Sequence, residues 1–221
     1  MYITDELDAT DEQRWCKQNG ILKTMSAVTA SRAGRRGGRG ARERILDAAT
    51  TLFYRDGINT TGVDRLAAHA NVSKRTLYKH FPSKTDLVTA YLCGIHDSGG
   101  YDTEQKLLDR DRTPRDQLLS LFEGQADGRI RGCPFHNAAV EAAGEMPGVE
   151  SVVHKHKREF VDSLSRLALD AGASDPGRLA NQLAILFEGA AALATSMNSS
   201  EPFPYARAAA AALIDQAIAH D

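Results

Sequence analysis

Cysteine is scarce in this chain: Cys16, Cys93 and Cys133 are the only three in 221 residues. An odd, widely scattered set predicts neither a disulfide framework nor a metal-ligand cluster, and a reducing compartment is the simpler setting. Long apolar runs are missing too. The longest, "LAILFEGAAALA", is too short to cross a bilayer and carries Glu188, so no membrane partner is expected. The opening "MYITDELDAT" lacks the apolar stretch of a signal peptide. Paired catalytic carboxylates, a glycine-rich phosphate loop and a nucleophile elbow are all absent, which argues against an enzyme. His154 and His156 sit two apart on a helical pattern and diverge, so no metal site and no cofactor is expected. From Thr85 onward no run has the alternation of a strand. What remains is an ordinary globular composition, 42% hydrophobic and 25% charged, patterned almost wholly as helix.

The net charge of -2 hides a division. Residues 25–84 carry 12 Lys/Arg against 4 Asp/Glu, whereas residues 85–221 carry 12 against 20. A basic head on an acidic body is expected to bring only the head to a polyanion. Ahead of it, "SRAGRRGGRGARER" (31–44) holds six arginines and reads as a flexible arm, either a solvated tail or a follower of phosphates and minor grooves. Met25 offers an alternative start for the functional chain.

Helical periodicity begins in "ARERILDAATTLFYRDG", where Ile45, Ala49 and Leu52 share a face and Gly57 follows the last turn. In "TTGVDRLAAHANV", Thr61 is placed to cap a second helix with the stripe Val63, Leu66, Ala67 and Ala70. Asn71 stands where a tight turn needs a left-handed backbone. Ser73 caps a third helix, and Pro82 ends it. There Leu77 and Phe81 point to one side, and Arg75, Thr76 and Lys79 to the other. Tyr78 and His80 flank them. Ser83 then caps a fourth helix. A helix held from behind by a striped neighbour, with a basic and hydroxyl-rich front, is a helix-turn-helix suited to a major groove.

The stretch "RILDAATTLFYRDGINTTGVDRLAAHANVSKRTLYKHFPSKTDLV" resembles the N-terminal domain of the tetracycline-repressor (TetR) family of bacterial transcriptional regulators. "RGCPFHNAAVEAAGE" and "LFEGAAALA" are similar to the body of one branch of that family. The resemblance implies an all-α protein: a flexible extension over 1–40, a three-helix DNA-binding domain over 41–84, and a helical effector-binding and dimerisation domain over 85–221. It implies DNA contacts from Lys74, Arg75, Thr76, Tyr78 and His80, with Lys79 on the same face and Lys84 as a phosphate contact. Where the family carries a serine or threonine at the start of helix two, this chain has Gly62 preceded by Thr61, so a backbone N–H contact replaces a hydroxyl one.

In the body, Thr113-Pro114, Cys133-Pro134 and Asp175-Pro176 mark helix starts, and another helix begins near Gly148. Leu179, Leu183, Leu186, Ala190, Leu193 and Met197 recur at steps of four and three, and Ala206, Ala210, Leu213 and Ala217 repeat the spacing on the last helix. A helix apolar nearly all round needs two covers, so these residues are expected to form a four-helix homodimer interface. The family resemblance also implies a small-molecule effector pocket. Phe122, Phe135, His136, Asn137, His156, Phe160 and Phe187 are its candidate lining, and each also reads as plain core. The expected function is a cytoplasmic, nucleoid-associated regulator, a repressor released from a palindromic double-stranded operator by its effector. Two other readings remain open at this point: a thiol-dependent enzyme or redox sensor at Cys133, and a non-specific nucleic-acid binder driven by the arginine arm.

Overall fold

The computed structural model describes residues 40–124 and 131–218. The extension over 1–39, with Cys16 and most of the arginine arm, lies outside the described residues. Those described are all helical, with no strand among them.

Three helices build the head, α1 Ala41–Asp56, α2 Val63–His69 and α3 Lys74–His80, and α4 Lys84–Asp97 carries it. Arg42 and Arg44, expected in the arm, belong to α1. The Arg42 guanidinium lies 5.2 Å from the centre of the Phe81 ring, and Arg44 Nε donates to the Ala70 carbonyl at 3.1 Å. Both therefore brace α1 against the other helices.

Gly57 ends α1 with φ 97° and returns its N–H to the Phe53 carbonyl. Thr61 does not cap α2. Gly62 is the cap residue, and the buried Thr61 hydroxyl donates back to the Gly57 carbonyl at 2.6 Å. Asn71 takes the left-handed turn, φ 51°, between α2 and α3. Ser73 Oγ accepts from the Thr76 N–H, and Phe81 leaves the helical region ahead of Pro82. Ser83 and Asp86 form a reciprocal capping box that starts α4.

Ile45, Leu52, Leu66, Leu77, Phe81 and Leu87 close over one core, each side chain contributing about 1.5–3 kcal/mol by leaving water. That core runs on into α7 Pro134–Ala142 and the first turns of α8 Pro147–Asp170, through Phe135, Ala138, Val149 and Val153. α4 and α7 thus join head to body without a seam.

A short α5, Asp102–Gln105, and a 3-10 turn, Lys106–Leu108, lead to α6 Pro114–Ser120. The body closes with α9 Pro176–Met197 and α10 Pro202–Ile218. Proline occupies the first turn of α6, α7, α8 and α9, where its missing N–H leaves no intrahelical bond unmade.

The stripe on α9 splits between two covers. Leu179, Leu183 and Ala190, with Ala206 and Ala210 of α10, are buried inside the subunit against α6 and α8. They have no surface left for a partner. This corrects the single-stripe interface, because a four-three repeat marks whichever face meets the nearest apolar neighbour, and here that is the chain's own core. Leu186, Leu213 and Ala217 are half-buried at its margin. The opposite face exposes Ile185 (74%), Leu193 (56%) and Met197 (55%), beside Tyr205 (78%) on α10. Gly189, Ala192, Ala208, Ala209 and Ala212 are exposed on the same two faces.

Candidate nucleic-acid interface and ligand cavity

Leu77 is fully buried and Phe81 nearly so, which fixes both the depth and the rotation of α3. Lys74, Arg75, Tyr78, Lys79 and His80 are exposed as a consequence, and Thr76 is half-buried. Thr76 Oγ1 lies 2.8 Å from Ser73 Oγ, so part of its hydrogen-bonding capacity is used in the cap.

The cations differ in how free they are. Lys74 Nζ sits 3.0 Å from Asp64 Oδ1, and that hydrogen-bonded carboxylate raises its pKa. Arg65 pairs with Asp56 at 2.7 Å. Arg75 and Lys79 have no ion pair among the described residues, which leaves their charge for an outside anion. Lys84 opens α4 beside N–H groups that have no intrahelical acceptor, and burial lowers its pKa. A cation at a helix N-terminus is unfavourable by itself. An anion placed there would satisfy the N–H groups and the ammonium together. Gly62 is exposed at the start of α2 on open backbone, whereas buried Thr61 cannot reach a ligand, which corrects its place among the contacts.

The predicted pocket residues separate. Phe122, Phe160 and Phe187 fill one another's space in the body core, with ring centres 5.8 and 6.2 Å from Phe187. Phe135 stacks flat on His156, centres 3.4 Å apart. Each of these five already has a packed partner, and none lines the cavity between α7 and α9. His136 and Asn137 do line one, of about 140 Å³, with Gly132, Cys133, Glu188, Ala191, Ala192, Thr195 and Ser196.

At its edge Lys157 pairs with Glu188 and donates to Cys133 Sγ at 3.3 Å. Burial outweighs that ammonium and pushes the thiol up to about 11. A thiol that stays protonated at neutral pH is a poor nucleophile, so the thiol-enzyme reading fails here. The sequence held no signal for Glu188 or Thr195 as lining groups. One faces inward from a helix apolar on most sides, and the other is a hydroxyl near a helix end.

The segment that walls the cavity also grips the head. Tyr54 OH donates to the Gly132 carbonyl at 3.3 Å, and Arg131 Nε donates to the Tyr54 carbonyl at 3.0 Å. At the far end of α7, the Asn59 N–H meets Glu141 Oε2 at 2.7 Å, and Asn59 Nδ2 donates to the Glu141 carbonyl at 3.0 Å. These four bonds tie the cavity wall and α7 to α1 and to the loop before α2.

Residues 45–91 match the family model for bacterial regulatory proteins of the tetR family. The chain is 31% identical over 160 residues to the HTH-type transcriptional repressor KstR of Mycolicibacterium smegmatis, across 68% of this chain and 74% of that one. An uncharacterised HTH-type transcriptional regulator of Mycobacterium tuberculosis is 29% identical over 127 residues, which span 56% of this chain and only 63% of that regulator. The crystal structure of a tetR transcriptional regulator from Streptomyces avermitilis superposes with a TM-score of 0.68 at 32% identity, covering 82% of this chain and all of that one. Among the described residues, no helix is long and apolar enough to cross a membrane.

Proposed function

The chain belongs to the tetR family of bacterial regulatory proteins, and on that premise we propose that it is a DNA-binding transcriptional regulator, a homodimeric repressor that a small-molecule effector releases from a palindromic operator. The family is one of regulators, not enzymes. The observation that carries the reading is the α3 surface: Arg75, Tyr78 and Lys79 stand exposed and unspent on a helix pinned from behind by Leu77 and Phe81. Arginine and lysine on such a helix meet guanine edges and phosphates, and the tyrosine hydroxyl meets phosphate. Lys84, with the start of α4, and the Gly62 N–H take flanking phosphates.

The second subunit covers Ile185, Leu193 and Met197 of α9 and the alanine face of α10. Close approach of small residues and a contiguous apolar face both favour a copy of the same surface. Two heads then read two half-sites about 34–36 Å apart. We divide the chain at residues 40 and 84, into arm, DNA-binding head and effector-binding body. The regulator works in the cytoplasm, on the nucleoid.

The effector enters between α7 and α9. At about 140 Å³ the cavity falls below the usual range of about 300–1,000 Å³ for drug-sized ligands, so the effector is small or widens it. A ligand preferring a displaced α7 weakens DNA binding by its differential affinity for the two geometries, through Tyr54 and Asn59. Selection of bound duplexes from a random pool, with the full chain, tests the reading. Enrichment of one inverted repeat is expected, lost on Tyr78→Ala. A pool that stays random at low salt would refute it.

A further inference from the structure

Four side chains outside this scheme form a line through the joint between head and body. Glu104 of α5 and His156 of α8 are almost fully buried, with His156 Nε2 3.1 Å from Glu104 Oε2. The other nitrogen, His156 Nδ1, lies 3.3 Å from Nδ1 of His96 at the end of α4. His96 Nε2 in turn lies 3.3 Å from Glu159 Oε2.

Proton counting constrains this line. With both carboxyl groups ionised each accepts only, so the ring nitrogen facing it must carry a proton. The two nitrogens facing each other hydrogen-bond only if one carries a proton and the other a lone pair. The full set of contacts needs three protons on four nitrogens, which is one imidazolium and one neutral ring. A fourth proton would set two N–H groups and two cationic rings against each other at 3.3 Å.

We propose that this proton-sharing pair is an acid-sensitive latch: one shared proton fastens α4 to α8 and α5, and uptake of a second proton releases the end of α4, the helix that carries the head. The groups facing the pair bear on it as follows. Burial pulls His96 below the usual histidine value. Glu159 and Asp97 push it up, and His156 and Lys155 push it down. Beyond Glu104, the charged or titratable neighbours on the inner side are Tyr101, Lys157, Glu188 and Cys133. A His96 pKa lowered in the fold means that the unfolded chain takes up the second proton first. Stability is then full above the ordinary histidine value and drains as the pH falls below it.

The test uses the full chain with nitrogen-15-labelled histidine, followed by NMR from about pH 7.5 to about pH 5, with amide exchange measured across α4. It needs no DNA, so its failure and that of the operator reading are distinguishable. Near neutral pH, His96 and His156 together should show three N–H protons. On acidification, exchange in the last turns of α4 should rise about tenfold as the fourth proton enters. His96→Gln should abolish that step. Glu159→Gln, at a half-exposed position that folding tolerates, should move it to lower pH. Two neutral rings at neutral pH, independent titration of both rings at the ordinary value, or an α4 step unmoved by either substitution would overturn the latch.

Discussion

α3 and α9 are built by one rule and turned to opposite uses. Each has an apolar stripe against its own core: Leu77 with Phe81 behind α3, and Leu179, Leu183, Phe187 and Ala190 along α9. They differ on the outer face. α3 shows Arg75, Lys79 and Tyr78 to solvent, whereas α9 shows Ile185, Leu193 and Met197. The inner stripe says only that a helix is packed. The outer face is where they differ, and in the proposed function it meets a polyanion in one case and an apolar copy in the other. Length follows from this. Seven residues of α3 suffice for a groove a few base pairs long, while an apolar contact needs area, and α9 supplies 22 residues.

Substitutions can break this comparison, the largest effects being on the inner stripes. Phe187→Ala should destabilise the body by about 3–5 kcal/mol and Leu77→Ala the head by about 2–5 kcal/mol, measured by urea unfolding. Equal loss of both cores in one transition would show that the core shared through α4 and α7 makes them a single cooperative unit. On the outer faces the effects should separate. Leu193→Glu should cost the dimer about 2–4 kcal/mol and give monomers by sedimentation, with the monomer's helicity intact. Arg75→Ala should leave the dimer whole and weaken binding of the selected duplex about tenfold to a hundredfold. The smallest effects are local. Asn71→Ala keeps the Cβ but removes the short polar side chain that makes a left-handed backbone tolerable, and should cost about 1–2 kcal/mol, while Asn71→Gly should be nearly neutral. Ser83→Ala, which removes half of a capping box, should cost about 1 kcal/mol.

Most helix boundaries were legible because their causes are local. Ser73, Ser83, Thr113 and Asp175 each accept from a backbone N–H at the start of a helix, and a hydroxyl or carboxylate followed by a periodic run announces this in the chain itself. Thr61 shows the limit of that reading. It has the right chemistry one residue too early, and the Gly57 carbonyl left over by α1 competes successfully for its hydroxyl. The pocket was harder. Phe122, Phe160 and Phe187 have the composition of a ligand lining, yet Phe122, Phe160 and Tyr101 all pack against the Phe187 ring and occupy that space themselves.

The all-helical class, the basic head, the turn at Asn71 and the exposed cations of α3 follow from local sequence, because capping, periodicity and charge act over one or two turns. Helix stacking sets which half of α9 stays bare, that His136 and Asn137 face a cavity while Phe135 faces a histidine, and that Glu104, His156 and His96 meet across up to 60 residues of chain. Contacts between distant segments depend on how helices are stacked and rotated. That is settled by filling the whole core at once, and no stretch of the chain encodes it alone.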